Sequence, residues 1–189
     1  VEQGKNIVAK TSKTDVTFTT GISDQSSNYL DGNSTSTNFD SLTAKAGAIN
    51  AVISDTMANV TADNVTALNA VLTKLANGTL TVTVNGNFAQ LNALNTNDDP
   101  VTMTVNDAVT ASNVTTLLGK TSKSTIALSG GVSDSLANVI NAGAATAKTD
   151  LTNTLNADPN VAVTVSTVAN ATDANITDSV SYTHLRAHE

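Results

Sequence analysis

The chain has 189 residues, enough for one domain of ordinary size with a sizeable core. Charged residues make up only 13% of it, about half the usual share of roughly 25%, while 40% are apolar and Thr, Ser and Asn fill more than a third of the positions. A net charge of −7 excludes a basic nucleic-acid binder, the even spread of Val, Leu and Ile excludes a disordered chain, and no apolar run approaches the ~20 residues of a membrane span.

The first period-2 run is at 16–19 (Val-Thr-Phe-Thr), and the same alternation returns at 51–54, 80–84, 101–105, 126–129 and 161–165. Each run reads as a strand with Val, Leu, Met or Phe on one face and mostly Thr on the other. Asp99-Pro100 and Asp158-Pro159 each sit just before a strand, where proline sacrifices little pairing. Between strands the period changes. Val60, Val65, Leu68, Leu72 and Leu75 space like one face of a helix, and so do Leu136, Ile140, Ala144, Ala147, Leu151 and Leu155. Shorter helices fit 88–94 and 108–118, with Asn77-Gly78 and Gly119 as stops.

The pattern repeats. Lys10-Thr11-Ser12-Lys13 returns as Lys120-Thr121-Ser122-Lys123, and Gly21, Ser23, Asp24 and Asn28 return as Gly131, Ser133, Asp134 and Asn138. The offset is 110 residues, so a long repeat is present less than twice. With one residue slipped, Ala169-Asn170 and Asn175-Ile176-Thr177 match Ala58-Asn59 and Asn64-Val65-Thr66. Inside it, Ile22-Ser23-Asp24, Ile53-Ser54-Asp55, Val105-Asn106-Asp107 and Val132-Ser133-Asp134 share one form, in which an apolar residue ends a β-like run and a polar pair opens a helix. Strand and short helix in alternation imply parallel strands with helical crossovers. Each unit is too small to bury its own apolar face. The fold expected is therefore α/β, a repetitive solenoid of short parallel strands alternating with helices over residues 1–180. A doubly wound α/β domain is the rival, but its strands would be apolar on both faces.

Residues 181–189 (SYTHLRAHE) break the composition, holding the only Arg and both His. This string resembles the translated read-through of a sequencing adapter and is set apart as an artefactual tail. The gene is expected to continue past Val180, and Val1 implies missing sequence before it.

The strings ISDTMANV, VSDSLANV, LNAVLTKLANGTLTVTV and VTASNVTTLLGKTSKSTIALSGG resemble repeats of giant bacterial surface proteins, including adhesin-like and marine cyanobacterial ones. The resemblance implies secretion, an extracellular or cell-surface location, and a spacer or adhesive role. Its partners would be neighbouring repeats of the same chain and cell-surface glycans, with no nucleic acid and no membrane insertion. Calcium-binding repeats often accompany such proteins, but their glycine-aspartate nonapeptide is missing here.

Without the tail the chain has no His, Cys or Arg, which excludes Ser-His-Asp and Cys-His catalysis. Asp98-Asp99 is the one adjacent carboxylate pair, and it reads as a solvated turn before a strand. No enzyme and no cofactor are expected. Any metal would be calcium on oxygen ligands, with Asp24, Asp55, Asp107 and Asp134 as a ladder along one rim. Helix capping is the favoured role for these four. Thr17, Thr19, Thr81, Thr83, Thr102, Thr104 and Thr164 form the candidate ligand face. A flat threonine array suits ice or a crystalline polysaccharide, and it also keeps an open sheet wet. The reading is a non-catalytic structural or adhesive segment. The alternatives are a ligand-binding solenoid and an accessory part of a polysaccharide-active enzyme.

Overall fold

A computed structural model describes residues 1–75, 78–96, 98–141 and 146–167. The expected matches at 169–177 and the tail at 181–189 lie outside the described residues. The chain begins with helix α1 (Glu2–Ala9), strand β1 (Ile22–Asp24) and the one-turn helix α2 (Ser26–Tyr29). A hairpin of β2 (Leu30–Asp31) and β3 (Ser34–Thr35) comes next, then α3 (Thr37–Thr43). The centre alternates: β4 (Ala51–Met57), α4 (Ala62–Leu75), β5 (Leu80–Gly86), α5 (Phe88–Asn92), β6 (Val101–Val105) and α6 (Ala111–Leu118). The last described part holds β7 (Ala127–Leu128), β8 (Val132–Ser135), α7 (Leu136–Val139), α8 (Thr149–Ala157) and β9 (Val163–Thr167).

The protein is α/β. Its main sheet has five strands in the order β1-β4-β5-β6-β7, and every pairing is parallel. Successive strands of the sheet are thus neighbours, as short right-handed crossovers favour. β8 and β9 form a second parallel pair, and Val132 of β8 also bridges Val109 in the segment between β6 and α6.

Alternation decides which face is covered. In β5, Leu80, Val82 and Val84 are buried while Thr81 and Thr83 are half-exposed. Val101, Met103 and Val105 of β6 are buried in the same way. Against this face lie Val65, Leu68, Val71 and Leu75 of α4, Leu91 of α5, and Val114 and Leu117 of α6. Tyr29 and Phe39 fill the beginning of the core edge to face, with ring centroids 5.3 Å apart. Tyr29 donates its hydroxyl hydrogen to the Ile22 carbonyl at 2.5 Å, and burial pushes its pKa up to about 12.

Three expected elements differ. Residues 16–19 do not form a strand: Val16 makes one bridge to Ala46, and the chain then turns into Gly21. Gly21 has φ +76°, and a Cβ there would lie 2.5 Å from the Asn50 carbonyl oxygen. The expected helix over 136–155 is two helices, because Ile140 leaves α7 in extended conformation and bridges Ala147 in antiparallel sense. Residues 161–165 do give a strand, β9, but it pairs with β8 and not with the five-stranded sheet. Among the described residues no helix is long and apolar enough to cross a membrane.

Candidate functional site

The threonine face is real in the centre and absent at the ends. Thr56, Thr83 and Thr102 are consecutive partners across β4, β5 and β6. Parallel neighbours stand about 4.8 Å apart, so the three form one short ladder. Thr104 lies between Asn85 and Ala127, and Thr81 lies beside Val52, so the rows above and below are mixed. Thr17 and Thr19 belong to no named strand, because their run turns away before pairing. Thr164 is exposed but stands in the second sheet, opposite Ser133. Of the seven threonines, the structure aligns Thr83 and Thr102 directly and adds Thr56.

Among the described residues no three of these aspartates gather into one group, and each holds a helix. The sequence pattern suggested that each opens its own following helix. In the structure each reaches the start of an earlier helix, and Asp24 and Asp134 hold the start of the following helix as well. Asp24 Oδ2 accepts from the Val1 amino group at 2.7 Å, at the start of α1. Asp55 accepts from the Ser26 amide and hydroxyl, both at 2.6 Å, at the start of α2. Asp107 accepts from the Phe88 amide at 2.8 Å, where α5 begins. Asp134 accepts from the Ala111 amide at 3.1 Å, where α6 begins. The first four amides of a helix lack partners within it, and its N-terminus carries partial positive charge, so a carboxylate is favoured there. The helix's own residues serve other amides: Asn87 caps α5 by a capping box with Gln90, and Thr110 caps α6 through the Asn113 amide.

Two of these aspartates share a pattern of hydrogen bonds. Asp24 Oδ1 also accepts from the Gln25 amide and the Asn28 side-chain amide, at 2.9 and 2.7 Å. Asp134 Oδ1 accepts from the Ser135 amide and the Asn138 side-chain amide, both at 2.8 Å. The two sets are 110 residues apart. Each borders a polar cavity: one of about 340 Å³ lined by Val1, Glu2, Gln3, Asp24 and Asn28, and one of about 330 Å³ that includes Thr110, Asp134, Asn138, Lys148 and Asp150.

Burial works against the charge on Asp24, but the Val1 amino group, the Gln25 amide and Asn28 outweigh it and hold the carboxyl below the ordinary range. Asp55 is likewise lowered, its burial offset by the Ser26 hydroxyl and amide. Carboxylates so occupied have few lone pairs left for a metal. No group of three or more His, Cys, Asp or Glu able to hold a metal occurs among the described residues.

Asp98 and Asp99 do not share a site. Asp98 is exposed with φ +67°, whereas Asp99 is buried. Burial pushes the Asp99 carboxyl above its ordinary value, and the charge of Asp98 adds to the shift.

The C-terminal ends of helices are also held by neighbouring units, a contact the sequence pattern does not announce. Lys120 donates from Nζ to the Leu94 carbonyl past α5 at 3.0 Å, and Lys45 donates to the Thr11 carbonyl past α1 at 3.3 Å. Asn69 of α4 binds both the Ala93 carbonyl and the Asn95 amide. The recurrent Lys-Thr-Ser-Lys was the available signal: Thr121 Oγ1 donates to the Val101 carbonyl at 2.7 Å and accepts from the Lys123 amide. Comparison of the chain with protein-family models, with curated proteins and with solved structures finds no match.

Proposed function

We propose that the chain is a non-catalytic structural segment, an α/β solenoid that adds length within a large secreted bacterial surface protein. Its partners on this reading are further repeats of the same kind. The observation that carries the proposal is the aspartate relay: Asp24, Asp55, Asp107 and Asp134 each fix a helix 19–29 residues earlier. Units held by nearest neighbours extend in one direction, each adding to the core it shares with the next. Secretion and the bacterial surface come from the resemblance of ISDTMANV and VSDSLANV to repeats of giant surface proteins.

The test is to pull the chain by its two ends. A spacer of stacked units releases in successive steps, each of about 20–30 residues, or roughly 70–100 Å of extended chain. One all-or-none rupture would overturn the proposal.

The Thr56–Thr83–Thr102 ladder favours a second reading, adhesion to an ordered polysaccharide. Retention of the chain on cellulose or chitin, lost in the Thr83→Val/Thr102→Val variant, would put that reading first.

A further inference from the structure

Three large hydrophobic side chains are exposed among the described residues: Ile7 at 56%, Val163 at 37% and Val165 at 37%. All three occupy positions whose repeat counterparts are buried. Ile7 of α1 corresponds to Leu117 of α6, which is 0% exposed. Val132 pairs with Val163 as Ile22 pairs with Ala51, and Asp134 pairs with Val165 as Asp24 pairs with Ile53. Ala51 and Ile53 are 0% and 4% exposed.

The elements covering the buried counterparts identify those that neither end has among the described residues. Ala51 and its strand are joined on their outer side by β5, through Ala51–Leu80 and Val52–Thr81. Leu117 sits in α6, which packs on α5. Polar groups agree. Lys120 reaches the Leu94 carbonyl after α5, and Thr121 reaches the Val101 carbonyl at the start of β6. The side chains of their counterparts, Lys10 and Thr11, make no such bond among the described residues: the Thr11 carbonyl is held by Lys45, and Thr11 Oγ1 accepts only from the Lys13 amide, at 3.1 Å, as Thr121 does from Lys123. β5, α5 and β6 are consecutive. The β9 edge (Val-Thr-Val-Ser-Thr) carries no charge and no proline to discourage pairing.

We infer that both ends of the described fold, at α1 and at β9, are docking surfaces for one kind of partner, a β–α–β segment with the chemistry of residues 78–110. Its first strand adds in parallel to the edge of β9 that no described strand pairs, and covers Val163 and Val165. Its helix and second strand seat against Ile7, Lys10 and Thr11 of α1 and the loop after it. Another copy docking end to end does not fit, because β9 would then meet α1 without the β5-, α5- and β6-like elements between. The inference rests on the stacked-repeat reading above and names its partner.

The experiment adds a synthetic peptide of residues 78–110 to the isotope-labelled full chain. The methyl resonances of Ile7, Val163 and Val165 are expected to shift. A peptide of the same composition in scrambled order should leave them in place. The methyl of exposed Thr164 should shift with them in the unmutated chain, and in the Val163→Asp/Val165→Asp variant, whose changes lie on an already exposed strand, it should stay in place while the Ile7 shift persists. Absence of shifts with the ordered peptide, or equal shifts with the scrambled one, overturns the inference. If stepwise release under force is still seen in that case, the stacked-repeat reading survives and only the docking of its ends falls.

Discussion

Asp134→Ala should be among the most damaging single polar changes in the described residues. The residue is 5% exposed, and its carboxylate accepts three hydrogen bonds, from the amides of Ala111 and Ser135 and from the Asn138 side chain. Ser135 and Asn138 reach solvent and can turn to water once the carboxylate is gone. The Ala111 amide cannot, since Ala111 is 1% exposed. A buried donor left without a partner costs about 1–3 kcal/mol. Losing a negative charge at the start of α6 adds about 0.3–1 kcal/mol. The expected loss is therefore about 3 kcal/mol, or roughly 6–12 °C in a domain of this size. Asp134→Asn keeps one oxygen, for either Ala111 or the Ser135–Asn138 pair, and should cost about 2 kcal/mol on the same hydrogen-bond scale. Urea unfolding at pH 7 measures both, and amide exchange at 111 locates the effect. A loss under about 0.5 kcal/mol for Asp134→Ala, the range of an ordinary surface change, would refute the assignment of this residue as a clamp.

Other consequences are checked more simply. Asp24 and Asp55 have folded pKa values below their unfolded ones, so they stabilise the fold above about pH 4 and that gain is lost as pH falls through the folded values. Urea midpoints should drop below pH 4, and Asp55→Asn should flatten that drop. Asp99 has the opposite sign, since its folded pKa is raised and its charge opposes folding at neutral pH. Asp99→Asn should raise the urea midpoint at pH 7, with the difference closing as pH falls through the folded pKa. Gly21→Ala combines φ +76° with a 2.5 Å approach to the Asn50 oxygen, whereas Gly32→Ala meets φ +61° with nothing within 4 Å. The second should cost about 1–2 kcal/mol in urea unfolding, the left-handed penalty alone, and the first clearly more. Calcium near 1 mM, the range of weak extracellular sites, should leave the thermal midpoint unchanged relative to EDTA.

Much of the architecture was legible because it is local. The alternation of Leu80 to Val84 and of Val101 to Val105 states both the strand and its covered face in one string. The stripe through Val65, Leu68 and Leu75 does the same for α4. The 110-residue offset appears in letters and again in the hydrogen bonds of Asp24 and Asp134. Contacts between units were not legible. Asp107 looks like a cap for the helix after it, and only the register of β5 on β6 brings it to Phe88. The apolar spacing of 136–155 runs on through Ile140, so periodicity could not locate the break there. Thr17 and Thr19 have the right letters, but the turn at Gly21 leaves them no strand to face.

The sequential order of the main sheet also governs how the chain reaches its native state. β5 pairs with β4 and β6, its own neighbours along the chain, so no distant segment has to be found first. Closing short loops is fast and loses little entropy. The pairs among Leu80–Gly86 and Val101–Val105 can therefore act as a nucleus, and order can spread outward one crossover at a time. A protein assembled this way can acquire structure progressively as it emerges from a narrow passage, whichever end comes first.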